Sequence, residues 1–172
     1  MQKNYEIYEK LVETSVDQLI DLEHQSYTKT LWDLIVVTAI SSNQKVCYEK
    51  QIQIKLEKNK LPKRFKYLVL NDPDNAKIGS GGSTMNVVNE LFKIYGENLF
   101  KMKILLIHAG GYSQRMPSCT VLGKIFSPLA SKSKYINDIF DLKLAIYTPF
   151  SVHMKPGILL TSSDDFQTFY LE

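Results

Sequence analysis

The stretch of this sequence that is richest in residues capable of chemistry is HAGGYSQRMPSCTVLGK, residues 108–124. Five of its residues suit the binding of a phosphate: Gly110, Gly111, Ser113, Arg115 and Lys124. Adjacent glycines allow positive φ angles, so that backbone N–H groups can approach an anion closely. The hydroxyl, the guanidinium and the ammonium group add further donors and two positive charges. Together these groups suit a polyphosphate better than a single carboxylate.

The pattern differs from two familiar nucleotide-binding motifs. If residues 123–124 were the glycine–lysine pair of a Walker phosphate loop, Ser118 would stand in place of its first glycine and Ile125 in place of its hydroxyl residue. The run GSGGST, residues 79–84, has a threonine in place of the third glycine of a dinucleotide fingerprint, and the next strand ends in His108 instead of an acidic residue. Neither a P-loop NTPase nor an NAD enzyme is therefore supported.

Short apolar segments alternate with helical patterns along the chain. Strands are predicted at 32–40, 67–70, 103–107 and 157–161, and helices at 4–24, 41–59, 85–95 and 135–147. Strands that are apolar throughout and alternate with helices predict a mostly parallel sheet with helices on both faces. Because ligands of such sheets bind at the carboxyl ends of the strands, we expect the loops after Leu70, Ile107 and Thr161 to converge on one edge.

Composition points to an ordinary folded domain and excludes several classes of protein. Apolar residues make up 44% and charged residues 23% of the chain, and a net charge of +3 is too small to indicate a nucleic-acid partner. Cys47 and Cys119 have no zinc or disulfide spacing and fit a reducing compartment. Without a signal core or a membrane-length apolar run, we expect a cytoplasmic protein. The most basic run, 55–66, is interpreted as a solvated helix end and connector.

Several stretches together resemble the fucose-1-phosphate guanylyltransferase family, also called GDP-L-fucose pyrophosphorylases. They are WDLIVVTA (32–39), IGSGGST (78–84), HAGGYSQRMP (108–117) with GK downstream, and PGILLTSSDD (156–165), which is similar to that family's strand ending in an acidic pair. The resemblance runs from about Trp32 to Asp165. Two glycine motifs in this order and at this separation are more specific than either motif alone.

The resemblance implies transfer of GMP from GTP to L-fucose 1-phosphate, which gives GDP-L-fucose and pyrophosphate. It also implies a Rossmann-like α/β nucleotidyltransferase sheet and a requirement for Mg²⁺. Within the pattern, Arg115 and Lys124 would be catalytic, with Arg115 facing the departing pyrophosphate and Lys124 reaching the reacting phosphate. Asp164 would hold the metal. The nucleotide-binding residues would be Gly81, Gly82, Ser83, Gly110, Gly111 and Ser113.

Several roles stay open between alternatives at this point. Asp164 and Asp165 are both candidates for the metal ligand. The family pattern favours Asp164, and Asp165 would then be a helix cap or a group that supports the metal ligand. Ser83 is as well suited to cap the helix that follows it as to contact a ligand, although we interpret GSGGST as a ligand loop. His108 leaves a buried strand and is expected to bond to the backbone.

The chain divides into an N-terminal helix, 1–30, and a partial nucleotidyltransferase domain, 31–172. Because members of the family are several times longer, we expect this chain to be a fragment or an isoform truncated at its C-terminus, with an exposed apolar edge on its last strand. Two alternatives to the transferase follow. The chain could be a catalytically inactive nucleotide-binding or interaction module, or it could be a related transferase for another sugar 1-phosphate. The sequence does not give the oligomeric state.

Overall fold

A computed structural model describes residues 31–73, 76, 78–111, 119, 122–130, 135–165 and 167, together with Glu13. The helix predicted at 4–24 therefore lies, apart from that one residue, outside the described part of the chain. The strands are β1 (Leu34–Ala39), β2 (Lys66–Asn71), β3 (Lys103–His108) and β4 (Gly157–Ser162). The α-helices are α1 (Ser42–Glu57), α2 (Gly79–Tyr95), α3 (Ile139–Tyr147) and α4 (Phe150–His153), and short 3-10 helices cover Gly96–Lys101 and Lys124–Phe126.

The four strands form one parallel sheet in the order β2-β1-β3-β4. Val36 of β1, for example, pairs with Leu68 on one side and with Leu106 on the other. The predicted α/β class and the parallel sheet are confirmed. All four strands lie within a residue or two of their predicted bounds, because short apolar runs between turn residues mark buried parallel strands clearly.

Helices cover both faces of the sheet, as predicted. On one face, Ile35 and Val37 of β1 pack with side chains of α1 and α3. On the other face, Leu34 and Val36 pack with α2 and with the 3-10 helix that follows it. The alternation of side chains along a strand thus sends neighbouring residues of β1 into two separate cores. All six residues of β1 are buried, as befits a central strand.

The helix ends follow local capping chemistry. The side chain of Ser41 accepts a hydrogen bond from the Gln44 N–H at 3.3 Å, and α2 ends immediately before Gly96. Helix α3 begins later than predicted, because the Asp138 side chain accepts from the Asp141 N–H at 3.0 Å and so fixes the helix start. No helix in the described part of the chain has the length and apolar character needed to cross a membrane.

One lysine of the basic run departs from its interpretation as solvated. Lys55 is 9% exposed, and its Nζ lies 2.6 Å from carboxylate oxygens of both Asp138 and Asp141. Burial, with the charge of Asp141, raises the pKa of Asp138, although Lys55 opposes this shift. The lysine thus joins the end of α1 to the start of α3 and is a structural residue.

Strand β4 is an edge strand of the sheet that the structure describes. It pairs with β3 alone among the described strands, and its Leu160 is 51% exposed. The expected apolar edge on the last strand is therefore present in this part of the chain.

Candidate functional site

The carboxyl ends of the strands are joined by hydrogen bonds into one edge. The Asp72 N–H, just beyond β2, donates to the carbonyl of Ala39 at the end of β1 at 2.9 Å. The Ser163 N–H, just beyond β4, donates to the carbonyl of His108 at the end of β3 at 3.0 Å. The loops after β2, β3 and β4 therefore start at the same edge of the parallel sheet, and their predicted convergence on one edge is confirmed.

The GSGGST run is the beginning of a helix, and its interpretation as a loop is wrong. Helix α2 starts at Gly79 with Ile78 as its N-cap, so that the run forms the first turns. Gly82 packs tightly in this turn, since a Cβ there would lie 2.7 Å from Ile78 Cβ, whereas a Cβ on Gly81 would meet open space. Ser83 is 4% exposed inside the helix, so the alternative role as a cap is also excluded.

The first turns of α2 lie over the sheet edge. The Thr84 Oγ1 lies 2.9 Å from Nε2 of His108 on β3, and the side-chain amide of Asn86 donates to the carbonyl of Asn71 on β2 at 3.1 Å. Since β1 lies between these two strands, the second turn of α2 lies above the end of β1. The first N–H groups of α2 have no acceptor within the helix, which gives this end an affinity for anions.

Among the described residues, the His108 imidazole bonds to a side chain and not, as expected, to the backbone. The Thr84 hydroxyl donates its proton to the carbonyl of Ser80 at 2.9 Å, so its oxygen accepts from the Nε2–H of His108. Burial lowers the pKa of His108, and the charge of Asp72 opposes that shift. The imidazole is therefore neutral near pH 7 and links the two glycine motifs.

The turn after β3 needs glycine because the backbone of β1 lies against it. A Cβ on Gly110 would lie 3.0 Å from backbone atoms of Ala39 and Ile40, whereas a Cβ on Gly111 would meet nothing within 4 Å. Gly110 is thus a close-approach position and Gly111 faces open space. The predicted ligands Ser113 and Arg115 lie outside the described residues.

The glycine of the GK pair allows the chain to pass an aromatic side chain. Gly123 has φ +78°, and a Cβ there would lie 2.2 Å from the hydroxyl oxygen of Tyr48. That hydroxyl donates to the carbonyl of Ala109 at 3.0 Å, which ties α1 to the end of β3. Burial raises the pKa of Tyr48, so it stays a neutral donor. Lys124 then opens the short 3-10 helix beside the edge.

Lys124 and Asp164, which are distant in the sequence, form an ion pair at this edge. Their Nζ and Oδ2 atoms lie 3.6 Å apart, and the Asp164 side chain is 59% exposed. The hydroxyl of Ser162 donates to the other carboxylate oxygen. This hydrogen bond, followed by the charge of Lys124, lowers the pKa of Asp164. The carboxylate is therefore ionised and accessible.

The neighbouring Asp165 has a different environment. Its carboxylate and its carbonyl both accept from Nζ of Lys143, whose side chain is only 1% exposed and whose ammonium lies 5.5 Å from the centre of the Tyr147 ring. Asp165 is thus committed to neutralising a buried cation, and Asp164 is the aspartate of the pair that is available to a ligand.

Asp164 is the carboxylate of the acidic pair that would hold a magnesium ion at this edge. The described residues contain no group of three His, Cys, Asp or Glu side chains that could enclose a metal. Mg²⁺ in phosphoryl-transfer sites is held by one or two carboxylates, with substrate phosphates and water completing its shell. A single exposed carboxylate such as that of Asp164 meets that minimum.

Two residues of the site escaped the sequence analysis. Ser162 precedes the acidic pair, and a hydroxyl at the end of an apolar strand was a usable signal. Lys143 interrupts the apolar face of the predicted helix 135–147, and a lysine on such a face indicates a buried partner. A separate cavity of about 580 Å³ lies between α1 and β2, beside Ile52, Phe65 and Tyr67, and shares no residue with the sheet edge.

Comparison with known proteins confirms the family resemblance. The model of the fucose pyrophosphorylase domain matches residues 96–172. The chain is 44% identical to the fucose-1-phosphate guanylyltransferase of Homo sapiens and 41% identical to that of Mus musculus, over 138 residues that cover 80% of this chain and 23% of each relative. It is 29% identical to the bifunctional fucokinase/GDP-fucose pyrophosphorylase of Arabidopsis thaliana, over 64% of this chain and 12% of that protein. The chain thus spans under a quarter of the length of these relatives. No solved structure matches it.

Proposed function

From this resemblance to the fucose-1-phosphate guanylyltransferases, we propose that the chain carries part of a nucleotidyltransferase site that transfers GMP from GTP to L-fucose 1-phosphate. A phosphate oxygen of the sugar phosphate bonds to the α-phosphorus of GTP, the bond from that phosphorus to the β-phosphate oxygen breaks, and pyrophosphate leaves. The sheet would be of the Rossmann-like nucleotidyltransferase type. Cys47 and Cys119, which form no disulfide in the described structure, fit the predicted cytoplasmic location.

The observation that supports this proposal most directly is the shared sheet edge. The start of α2, the turn at Gly110 and Gly111 and the pair of Lys124 and Asp164 all lie there. N–H groups of the first two features can bind triphosphate oxygens, and the third supplies opposite charges for a phosphate and a cation. Alignment of two anions and neutralisation of the charge on the phosphoryl oxygens are the main demands of phosphoryl transfer.

In this proposal Lys124 exchanges its partner on substrate binding. Its ammonium is held beside Asp164 in the free chain, and a bound phosphate oxygen would compete for it. Arg115 is assigned to the pyrophosphate side from its type and its position in the motif. Mg²⁺ held by Asp164 would supply charge neutralisation between the phosphates.

Release of pyrophosphate tests the proposal. GTP, L-fucose 1-phosphate and Mg²⁺ should together yield pyrophosphate and GDP-L-fucose, and omission of any one of them should abolish both products. Other sugar 1-phosphates in parallel reactions test the alternative of a related transferase.

A second candidate function is a binding module, which would hold a nucleotide at the sheet edge without transferring GMP. The match covers 23% of the length of the human and mouse relatives and does not by itself carry their transfer activity over to this chain. GTP binding by calorimetry, without release of pyrophosphate, would favour this binding module, and turnover would exclude it.

A further inference from the structure

The hydroxyl of Thr38 supports the turn at Gly110 from beneath. Thr38 follows the last residue of β1 that pairs with β3, which is Val37 opposite Ile107. It is 2% exposed, and its Oγ1 accepts from the N–H groups of Ala109 at 3.1 Å and of Gly110 at 3.3 Å. Where the backbone pairing of the two strands ends, a side chain therefore takes over as the acceptor.

The side chain of Gln44 holds the next residue of the same turn. Gln44 is 6% exposed in the first turn of α1. Its Oε1 accepts from the N–H of Ile40 at 2.9 Å, and its Nε2 donates to the carbonyl of Gly111 at 3.2 Å. One contact needs an acceptor and the other a donor, so a neutral amide satisfies both whereas a carboxylate or an ammonium satisfies one.

These contacts fix the orientation of the peptide groups in the turn. Thr38 holds the Gly110 N–H inward, and Gln44 holds the Gly111 carbonyl towards α1. The N–H of Gly111 lies between these two held groups and donates to no acceptor among the described residues. The close approach of Gly110 to the backbone of Ala39 and Ile40 restricts movement of the turn towards β1.

We propose that Thr38 and Gln44 are positioning residues, which hold the Gly110–Gly111 turn so that the N–H of Gly111 binds a phosphate chain. The proposal rests on the proposed function for the identity of the ligand, a nucleoside triphosphate or the pyrophosphate released from it. Neither side chain touches the ligand. Both act through the backbone that they hold.

Thr38 is tested with pyrophosphate as the probe and this chain as the protein. Thr38→Val keeps the side-chain shape without the acceptor, and its Kd for pyrophosphate should rise roughly tenfold, as expected for loss of orienting hydrogen bonds worth about 1.4 kcal/mol. Thr38→Ser restores the hydroxyl and should restore the affinity. Thr148→Val is the matched control, because the buried hydroxyl of Thr148 has no hydrogen-bond partner in the described structure.

Gln44 is tested through the pH dependence of the Gln44→Glu variant. An ionised carboxyl accepts from Ile40 but cannot donate to the Gly111 carbonyl, so affinity should fall at pH 8 and recover as the introduced group is protonated at low pH. Protonation of pyrophosphate changes the Kd of the variant and of the wild type alike, so the ratio of the two Kd values at each pH is the quantity to compare. Gln53→Glu, which adds the same charge on the exposed side of α1, should keep this ratio constant.

The outcomes separate this inference from the proposed function. Affinity that depends on Thr38 and Gln44 supports the inference even if GMP transfer is absent. Equal pyrophosphate affinity in wild type, Thr38→Val and Gln44→Glu overturns the inference even if transfer occurs. If the wild-type chain binds neither pyrophosphate nor GTP, both are overturned. Should Thr38→Val fail to fold, the pH response of Gln44→Glu decides.

Discussion

The Nζ atom of Lys124 lies 3.6 Å from the Oδ2 atom of Asp164, so the 3-10 helix after the glycine turn meets the loop after β4. Both side chains are partly exposed, and exposed pairs of this kind contribute at most about 1 kcal/mol to stability. The pair therefore fits a role in binding better than a role in folding.

Replacement of Lys124 should accordingly separate activity from stability. We expect Lys124→Ala to lower the rate of GMP transfer by about 100- to 1,000-fold, the range found when one charge-stabilising group is removed from a transition state. The urea midpoint should change little. Lys93→Ala, which breaks the exposed pair of Lys93 and Glu90 on α2, is the matched control. An unchanged transfer rate in Lys124→Ala would remove this lysine from the site.

The two adjacent aspartates should give opposite results when each is changed to asparagine. Asp164→Asn should raise the Mg²⁺ concentration needed for transfer and leave the unfolding free energy nearly unchanged. Asp165→Asn leaves the buried ammonium of Lys143 without its carboxylate and should cost about 1.5 to 3 kcal/mol of stability. Magnesium titrations and urea denaturation measure the two effects, and an exchange of the two phenotypes would reverse the assignment of the metal ligand.

Lys55 should be important for stability, although it belongs to a run rich in exposed lysines. Lys55→Met leaves Asp138 and Asp141 buried together without a cation and should cost about 3 to 5 kcal/mol, as does removal of one partner from a buried pair. Lys45→Met removes the exposed partner of Glu49 on the same helix and should cost little. Equal unfolding free energies of the two variants would contradict the buried cluster.

His108 should make stability depend on pH on the acidic side of neutrality. Burial lowers its pKa below the ordinary value of 6.5, so the unfolded chain binds a proton more tightly than the folded chain. The contribution of His108 is fully present above pH 6.5 and is lost as the pH falls from that value to the folded pKa. Denaturant titrations at a series of pH values give the slope of the unfolding free energy against pH. In this pH range the slope should be smaller for His108→Gln than for the wild type. An identical slope in both proteins would be inconsistent with the lowered pKa.

The three glycines around the site should differ in their tolerance of alanine. Gly123→Ala combines a positive φ with a clash against Tyr48 and should cost at least about 1 to 2 kcal/mol. Gly110→Ala presses on the backbone of β1 and should also destabilise, whereas Gly111→Ala enters open space. The melting temperatures of the three variants give the order of their stabilities. A large loss of stability for Gly111→Ala alone would contradict the described packing.

Much of the sheet was predictable because its strands carry their signal locally. The apolar run at 103–107 and the glycine at 96 each mark an element boundary without reference to the rest of the chain. The gathering of loops at one edge followed from parallel topology alone. Lys124 was selected from its motif and Asp164 from the family resemblance, and the functional roles of both stay predictions.

The errors arose where long-range contacts override local preference. The glycines of GSGGST indicate a loop, but Thr84 and Asn86 anchor the run to β3 and β2 as a helix. Lys55 looked solvated because its two carboxylate partners lie far along the sequence. The anchoring of α2 and the burial of Lys55 both depend on residues far away in the sequence, so a local sequence pattern cannot indicate them.

The support of the glycine turn by Thr38 and Gln44 limits how far the turn can be treated as a portable module. Protein engineers who graft HAGG onto a foreign scaffold would transplant the covalent loop but leave behind the neighbouring strand and helix that orient it. A working graft would have to include a hydroxyl at the end of the adjacent strand and an amide in the following helical turn. The glycine turn and its supporting side chains thus come from three chain segments, and a motif search along one segment captures only part of them.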